Sequence, residues 1–288
     1  RTCQDTAARV SMLAFLAPHA ALLPTSRGAL PRMSAIEDRA AAKASLFTSI
    51  SSFDEVRSRG GVNIDFGVKG GELDKDTRAP TNLADGGFYA VSEELGKAAD
   101  DVLARVDELF PLNPTPDPTR FLGTVEGEKC PLHGCWSNIF TTAADATFSK
   151  DSERGDAKVG NEVDGRTGRV WNCIDFIAPE GATAPANPEQ LRVQLAVRAV
   201  SNVRVALVFR LIKVRLTKFF FFPLFGRRLT LTLPVPGPFI TRILTLFSKK
   251  EVPQAYFDVL YLDDELRVHK TGQGAIFVQQ RPQWGVQA

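Results

Sequence analysis

The chain has 288 residues, of which 44% are apolar and 24% charged, and its formal net charge is +2. That is long for one domain, short for two large ones, and apolar enough for a sizeable core. Four cysteines, Cys3, Cys130, Cys135 and Cys173, exclude a disulfide framework at this length. No window approaches about 18 uncharged apolar residues, so no transmembrane helix is predicted.

Residues 1–35 carry Arg1, Arg9, Arg27 and Arg32 against a single acid, Asp5. An apolar patch, Met12–Leu16, precedes Ala17-Pro18 and a Ser-, Thr- and Arg-bearing stretch. This is the composition of an organelle presequence in two parts, with a disordered basic tail as the alternative, and the stretch is set outside the fold. Residues 36–118 form a helical and loop region. Ile36, Ala40, Lys43, Phe47, Ile50 and Phe53 fall near helical spacing, although the polar cluster Thr48–Ser52 allows two short helices instead of one. Gly60-Gly61, Gly70-Gly71 and Gly86-Gly87 mark residues 58–90 as an irregular loop draped over something else. Gly70-Gly71 lacks the Gly-Lys-Ser/Thr ending of a phosphate cradle. Residues 92–110 give the clearest helix, capped by Ser92, with Glu93 and Glu94 in its first turn. Pro111, Pro114, Pro116 and Pro118 stop it and predict a stiff linker.

From about residue 130 the apolar period changes from 3.6 to 2, and residues 119–288 are read as a mainly β domain. Strands are predicted at Cys135–Phe140, Val170–Ile177, Leu191–Ala199, Val203–Leu211, around Leu229–Leu233, and at Tyr256–Leu262, Leu266–His269 and Ala275–Gln279. Ser201-Asn202, Asp263-Asp264-Glu265 and Thr271–Gly274 join neighbours as tight turns. At Leu211-Ile212 the alternation slips by one residue, which predicts a β-bulge or strong bend. Pro234, Pro236 and Pro238 break pairing after Leu233. Short strands at this spacing predict an antiparallel barrel or sandwich. A barrel is favoured because the last strands have no other way to cover their edges.

Residues 191–250 contain twelve basic residues and no acid, which leaves the rest of the chain at −10, since the whole is +2 and this run is +12. The same run holds the apolar knuckle Phe219–Phe225. Lys213, Arg215, Lys218, Phe219, Phe220, Phe221, Phe222, Leu224, Phe225, Arg227 and Arg228 are therefore the candidate contact residues for a membrane or partner. The alternative is a loop folded back onto the domain. Nucleic acid would need a continuous groove with stacking aromatics and is not expected.

Catalysis needs a positioned acid, base, nucleophile or metal. His19, His133 and His269 are the only histidines. His269 is read as pointing out of a strand near a turn, and a hairpin turn accounts for the acids at 263–265. No Gly-x-Ser-x-Gly element is present. His133 lies between Cys130 and Cys135, but no second pair with zinc spacing accompanies them, so plain thiols or a disulfide are the open readings. The expectation is a protein that is not an enzyme and holds no metal. An eight-stranded barrel can hold one small ligand. Trp136, Phe140, Ile174, Phe176, Val205, Leu207 and Phe209 are the candidate lipid- or pigment-facing residues, with simple core filling as the alternative.

The run Leu132-His133-Gly134-Cys135-Trp136-Ser137-Asn138-Ile139-Phe140-Thr141-Thr142 resembles the opening strand of the plastid lipid-associated proteins, or plastid fibrillins. Gly134-x-Trp136 is also the lipocalin-type entry motif. Val163 to Phe176, with Gly168–Asn172 leading to Asp175-Phe176, looks like that family's second strand region. Tyr256–Val268, with Tyr261-Leu262-Asp263-Asp264-Glu265-Leu266-Arg267, resembles its closing run, and Gly274–Val278 its last strand. The resemblance covers about residues 92–282; residues before 92 and the Phe219–Phe225 insertion depart from it. It implies a lipocalin-like barrel in the chloroplast, peripheral to thylakoid membranes or plastoglobules, that binds a carotenoid, a quinone or another lipid and requires no cofactor. It also implies that Trp136 stacks with Arg267. Two further readings are a structural or assembly subunit docked on a photosynthetic membrane complex such as a photosystem–antenna assembly, with no exchangeable ligand, and an enzyme of lipid or quinone metabolism.

Overall fold

The computed structural model describes residues 30–60, 63–66, 88–143, 146–149, 156–178, 181–182, 184–219, 222–224, 226–235 and 255–282. Two helices, α1 (Leu30–Arg59) and α2 (Glu93–Leu109), precede the barrel in sequence. The strands are β1 (Asn63–Phe66), β2 (Gly134–Thr141), β3 (Ala146–Ser149), β4 (Asp156–Asp164), β5 (Arg169–Ile177), β6 (Gln190–Ala199), β7 (Arg204–Leu216), β8 (Lys218–Phe219), β9 (Phe222–Pro223), β10 (Leu229–Pro234), β11 (Tyr256–Leu262), β12 (Leu266–Thr271) and β13 (Ile276–Gln280). Strands β7-β11-β12-β13-β2-β4-β5-β6 pair antiparallel in that order, and β6 pairs back onto β7, closing an eight-stranded barrel. The expected mainly β fold with an antiparallel barrel behind N-terminal helices is therefore present.

Strand β7 is long because it serves two partners. Arg204–Ala206 pair with β11 inside the barrel, whereas Leu211–Leu216 pair with β10 beyond it. Between these halves Gln194 of β6 faces Leu211 and Leu195 faces Phe209, so Arg210 is an extra residue. The bulge predicted from the phase slip sits there. Two more bulges interrupt the barrel, at Ile139 between the Asn138–Gln279 and Phe140–Val278 pairs, and at Leu260 between Val259–His269 and Tyr261–Val268. Each extra residue turns the following side chains to the opposite face.

That phase change gives the barrel two cores. Past the bulges, Phe140 and Tyr261 turn outward and join Leu266, Val268 and Val278 on the outer wall. The helices cover this wall with Leu46, Ile50 and Phe53 of α1 and Leu95, Ala99, Val102, Val106 and Leu109 of α2. Phe53, Phe88 and Phe140 form an aromatic cluster, with the Phe53 ring edge-on to Phe88 at 5.2 Å and to Phe140 at 5.1 Å. Burying such a side chain contributes about 1.5–3 kcal/mol. Lys43 pins α1 to the β11–β12 turn through Asp263 at 2.7 Å and Glu265 at 2.8 Å. The inner core holds Leu122, Cys130, Leu132, Trp136, Val163, Val170, Leu195, Val197, Val205, Phe257, Val259 and Leu262.

Several boundaries differ from expectation. Helix α1 begins at Leu30, inside the stretch set aside as a presequence, and the Thr48–Ser52 cluster does not break it. Thr48 donates to the Ala44 carbonyl and Ser49 to Asp101 of α2 at 2.6 Å, so these hydroxyls are satisfied without leaving the helix. Residues 1–29 lie outside the described residues. Within 58–90 the described part is α1's last turn, β1, which pairs with β3, and a 3₁₀ turn at Phe88–Ala90. The proline-bearing stretch is docked rather than a spacer: Leu262 N donates to Asn113 Oδ1, Thr115 Oγ1 donates to the Leu262 carbonyl, and Thr119 N to the Asn202 carbonyl. Strand β4 is not among the predicted strands, because Gly160 and Asn161 interrupt an otherwise regular Ala157, Val159, Val163 alternation.

Candidate binding site in the barrel and its basic tongue

The chain between α2 and β2 crosses one end of the barrel and plugs it with Leu122, Cys130 and Leu132. The plug meets the β4–β5 turn so closely that a Cβ on Gly165 would stand 2.1 Å from the Gly127 carbonyl oxygen. Trp136 lies on this floor, 1% exposed, with Nε1 donating to the Leu132 carbonyl at 2.9 Å. Two guanidiniums face its ring, Arg267 at 5.0 Å and Arg281 at 4.2 Å from the centroid. The expected Trp136–Arg267 stack is present; Arg281 adds a second cation, which itself donates to the His133 and Pro131 carbonyls.

Arg267 is 2% exposed, and its partners are amides alone. Nε donates to Gln279 Oε1 at 2.8 Å, and Nη2 donates to Asn161 Oδ1 at 2.6 Å and to Gln279 Oε1. Gln279 Nε2 donates to the same Asn161 oxygen at 2.6 Å, and Asn161 Nδ2 passes the chain on to Asn172 Oδ1 at 2.7 Å. No carboxylate among the described residues pairs with Arg267. Burial, and then the charge of Arg281, pull its guanidinium down to about 9, which leaves it protonated at neutral pH. Next along β12, His269 faces inward, stacked on Phe277 at 4.9 Å and tilted against Phe257 at 4.8 Å. Burial, and then the Arg267 charge, hold it neutral, well below the ordinary histidine range. Its Nδ1 and the Asn138 Oδ1 are both buried without a hydrogen-bond partner among the described residues.

Toward the other end, the inward side chains Ile174, Phe176, Val193, Leu207, Phe209 and Phe277 are half-buried rather than buried. Apolar lining thus runs from a closed floor to an accessible mouth. Beyond the mouth, β7 and β10 continue this face as a tongue, on which Ile212, Val214 and Leu216 stand opposite Leu233, Leu231 and Leu229. Leu233 is 53% exposed. At the tip, β8 and β9 pair as a two-strand ribbon that exposes Phe219 and, at 74%, Phe222.

The stretch from β6 to β10 that carries the tongue is cationic, although its charges are partly matched. Arg192 pairs with Asp175, Arg204 with Asp258, and Arg215 and Arg228 share Glu189. Lys213 lies over the Trp171 ring at 5.1 Å. Arg198, Arg210, Lys218 and Arg227 form no ion pair with a described residue.

Of the seven predicted lining residues, Trp136 and Val205 sit on the floor and Ile174, Phe176, Leu207 and Phe209 line the accessible part. Phe140 is the correction: the bulge at Ile139 reverses its direction, and it packs under the helices instead. Of the knuckle, Phe219 and Phe222 are exposed and Leu224 is half-buried; Phe220, Phe221 and Phe225 lie outside the described residues. His269 points into the barrel, not out of it, because the pair His269–Phe277 follows the phase of Arg267–Gln279. Cys130 is a free buried thiol under the floor, and Cys135 is a free thiol on a different part of the wall. The polar belt of Asn138, Asn161, Asn172, Gln279 and Arg281 goes beyond the sequence-based expectations. Its one signal in the sequence is Arg267 and His269 at alternate positions of a strand closed by apolar neighbours.

Fold and site together define a closed eight-stranded antiparallel barrel, plugged at one end and open onto a basic tongue at the other. No protein-family model matches the chain, no curated protein is significantly similar to it in sequence, and no solved structure is significantly similar to it.

Proposed function

We propose that the protein is a non-enzymatic lipid- or pigment-binding barrel that works at an anionic membrane surface. The observation that carries this reading is the gradient along the inner wall, from buried floor to half-exposed apolar mouth and tongue. Apolar surface of that extent gains from an apolar occupant. The exposed Phe219 and Phe222 stand beside Lys218 and Arg227, which form no ion pair among the described residues. That combination suits an interface where aromatic rings enter the headgroup layer and each cation contributes about 1 kcal/mol against anionic lipid.

The sequence resemblance to plastid lipid-associated proteins supports a thylakoid or plastoglobule setting and a carotenoid, quinone or other lipid as occupant. The test is mass spectrometry of organic extracts from protein purified from its own cells. A stoichiometric apolar compound supports the reading, and protein free of extractable lipid that takes up none in vitro overturns it. A second reading, an assembly subunit on a photosynthetic membrane complex, is favoured by β10, which has no strand on its outer edge among the described residues. An exposed edge is a place for a partner strand. Co-migration with a membrane complex and an empty barrel would favour it.

A further inference from the structure

We infer that the barrel takes an apolar chain ending in a carboxylate, with the acid group held in the polar belt by Arg267, His269 and Asn138. This deepens the proposed lipid-binding function and rests on it. A guanidinium removed from water is costly unless an anion accompanies it. Arg267 is 2% exposed and has three amide bonds and an indole face but no carboxylate among the described residues. Arg281, facing the same indole, adds a second positive charge rather than neutralising the first. At Arg267 the barrel interior therefore carries a positive charge that no described carboxylate pairs with.

The second observation is the set of polar atoms without partners. Asn138 Oδ1 and His269 Nδ1 are both buried and both unbonded among the described residues. They lie on the strands flanking Gln279, which pairs with Asn138 on one side and with Arg267 on the other. A buried polar atom without a partner is uncommon and costs stability. Two such atoms beside an unneutralised guanidinium, inside one barrel, match the needs of a carboxylate, which accepts several bonds at once. Neutral His269 offers an N–H at Nδ1 in one tautomer, and half a turn of the Asn138 amide presents Nδ2. The Arg267 guanidinium supplies the charge.

The third observation is access. The inward amides Asn161 and Asn172, the first bonded to Arg267 and both to each other, are half-buried rather than buried. This pair links the half-buried lining to the buried Arg267 and Gln279, while the plug closes the other end. An eight-stranded barrel of this kind admits one small ligand. A terminal carboxylate fits this blind end, whereas a phosphodiester carrying a headgroup on its far side does not.

The test uses the delipidated full chain and two fluorescent probes, cis-parinaric acid and its methyl ester, titrated at neutral pH. The acid should bind at least about ten times more tightly than the ester, the effect of one charge-assisted contact. Displacement by oleate or by retinoate, each of which supports the inference, separates a straight-chain acid from an isoprenoid acid. Equal binding of acid and ester overturns the inference and leaves the lipid-binding reading standing. Binding of neither probe overturns both. Arg267→Gln should remove the preference for the acid; because it also loosens the floor, Asn138→Asp is the second variant. The carboxylate introduced by Asn138→Asp would repel the acid group and lower acid affinity at least about tenfold while sparing the ester. A retained preference in Asn138→Asp overturns the inference.

Discussion

The two ends of the barrel use the same strand pairing to opposite purposes. At the floor the inner wall is fully buried, the plug between α2 and β2 closes the cylinder, and a polar belt fixes Trp136 against two guanidiniums. At the mouth the inner wall is apolar but half-exposed, and β7 leaves the cylinder at its bulge to build a tongue. The contrast separates what makes the fold unique from what leaves it unfinished. A buried network specifies one arrangement because every alternative strands a polar group, whereas an accessible apolar lining gains stability only from something beyond the described residues.

The sharpest way to break this contrast is at the floor. Trp136→Ala should cost about 3–5 kcal/mol in chemical denaturation, the usual loss for a large buried aromatic. Combined with Arg267→Ala the losses should fall short of additive by about 1–2 kcal/mol, the coupling expected of a desolvated cation over an indole. Strict additivity would mean that the stack contributes nothing. Phe140→Ala should cost a similar amount, about 3–5 kcal/mol, yet leave bound lipid unchanged in extracts of the folded protein, because Phe140 faces the helices. Altered lipid content would return it to the lumen.

A smaller effect is expected with pH. His269 is held neutral in the folded barrel, whereas in the unfolded chain it takes a proton below about pH 6.5. The unfolded state then binds more protons, so stability falls as pH drops, by at most about 1.4 kcal/mol per pH unit from this group. His269→Phe should flatten denaturation midpoints between about pH 6.5 and about pH 5, the range in which the unfolded histidine takes up its proton; an unchanged slope would place the acid sensitivity elsewhere. The mouth should behave differently again. Phe219→Ser with Phe222→Ser should change stability by no more than about 0.5 kcal/mol, as is usual at exposed sites, while reducing flotation with anionic liposomes. Unchanged flotation would remove the ribbon from the membrane contact.

How much of this is legible in the sequence depends on whether the information is local. Period-two alternation locates most barrel strands to within a few residues, and the slip at Leu211-Ile212 announces the bulge at Arg210 because both phases lie within one strand. The bulges at Ile139 and Leu260 give no such signal. In Cys135–Phe140 the residues after the extra one are too few to show a new phase, so Phe140 reads as lumenal. In Tyr256–Leu262 both faces are apolar, one for the lumen and one for the helices, and alternation cannot separate them. The inward orientation of His269 is hidden for the same reason, since Leu266 and Val268 bury the opposite face as completely. The polar belt is assembled from five strands whose order around the barrel is not written in any one of them. The Trp136–Arg267 stack is reached through resemblance alone.

Strand β2, the first of the barrel strands to leave the ribosome, finds one neighbour soon in β4 but must wait for β13 to gain the other. Until then its free edge, and the wall on which α1 and α2 settle, stand open to the solvent of the cell. The helices are made before the wall that they cover is complete, so their apolar faces lack part of that partner until β13 is made. Such a topology, dominated by contacts between distant parts of the chain, is of the kind that folds slowly and exposes aggregation-prone surface on the way.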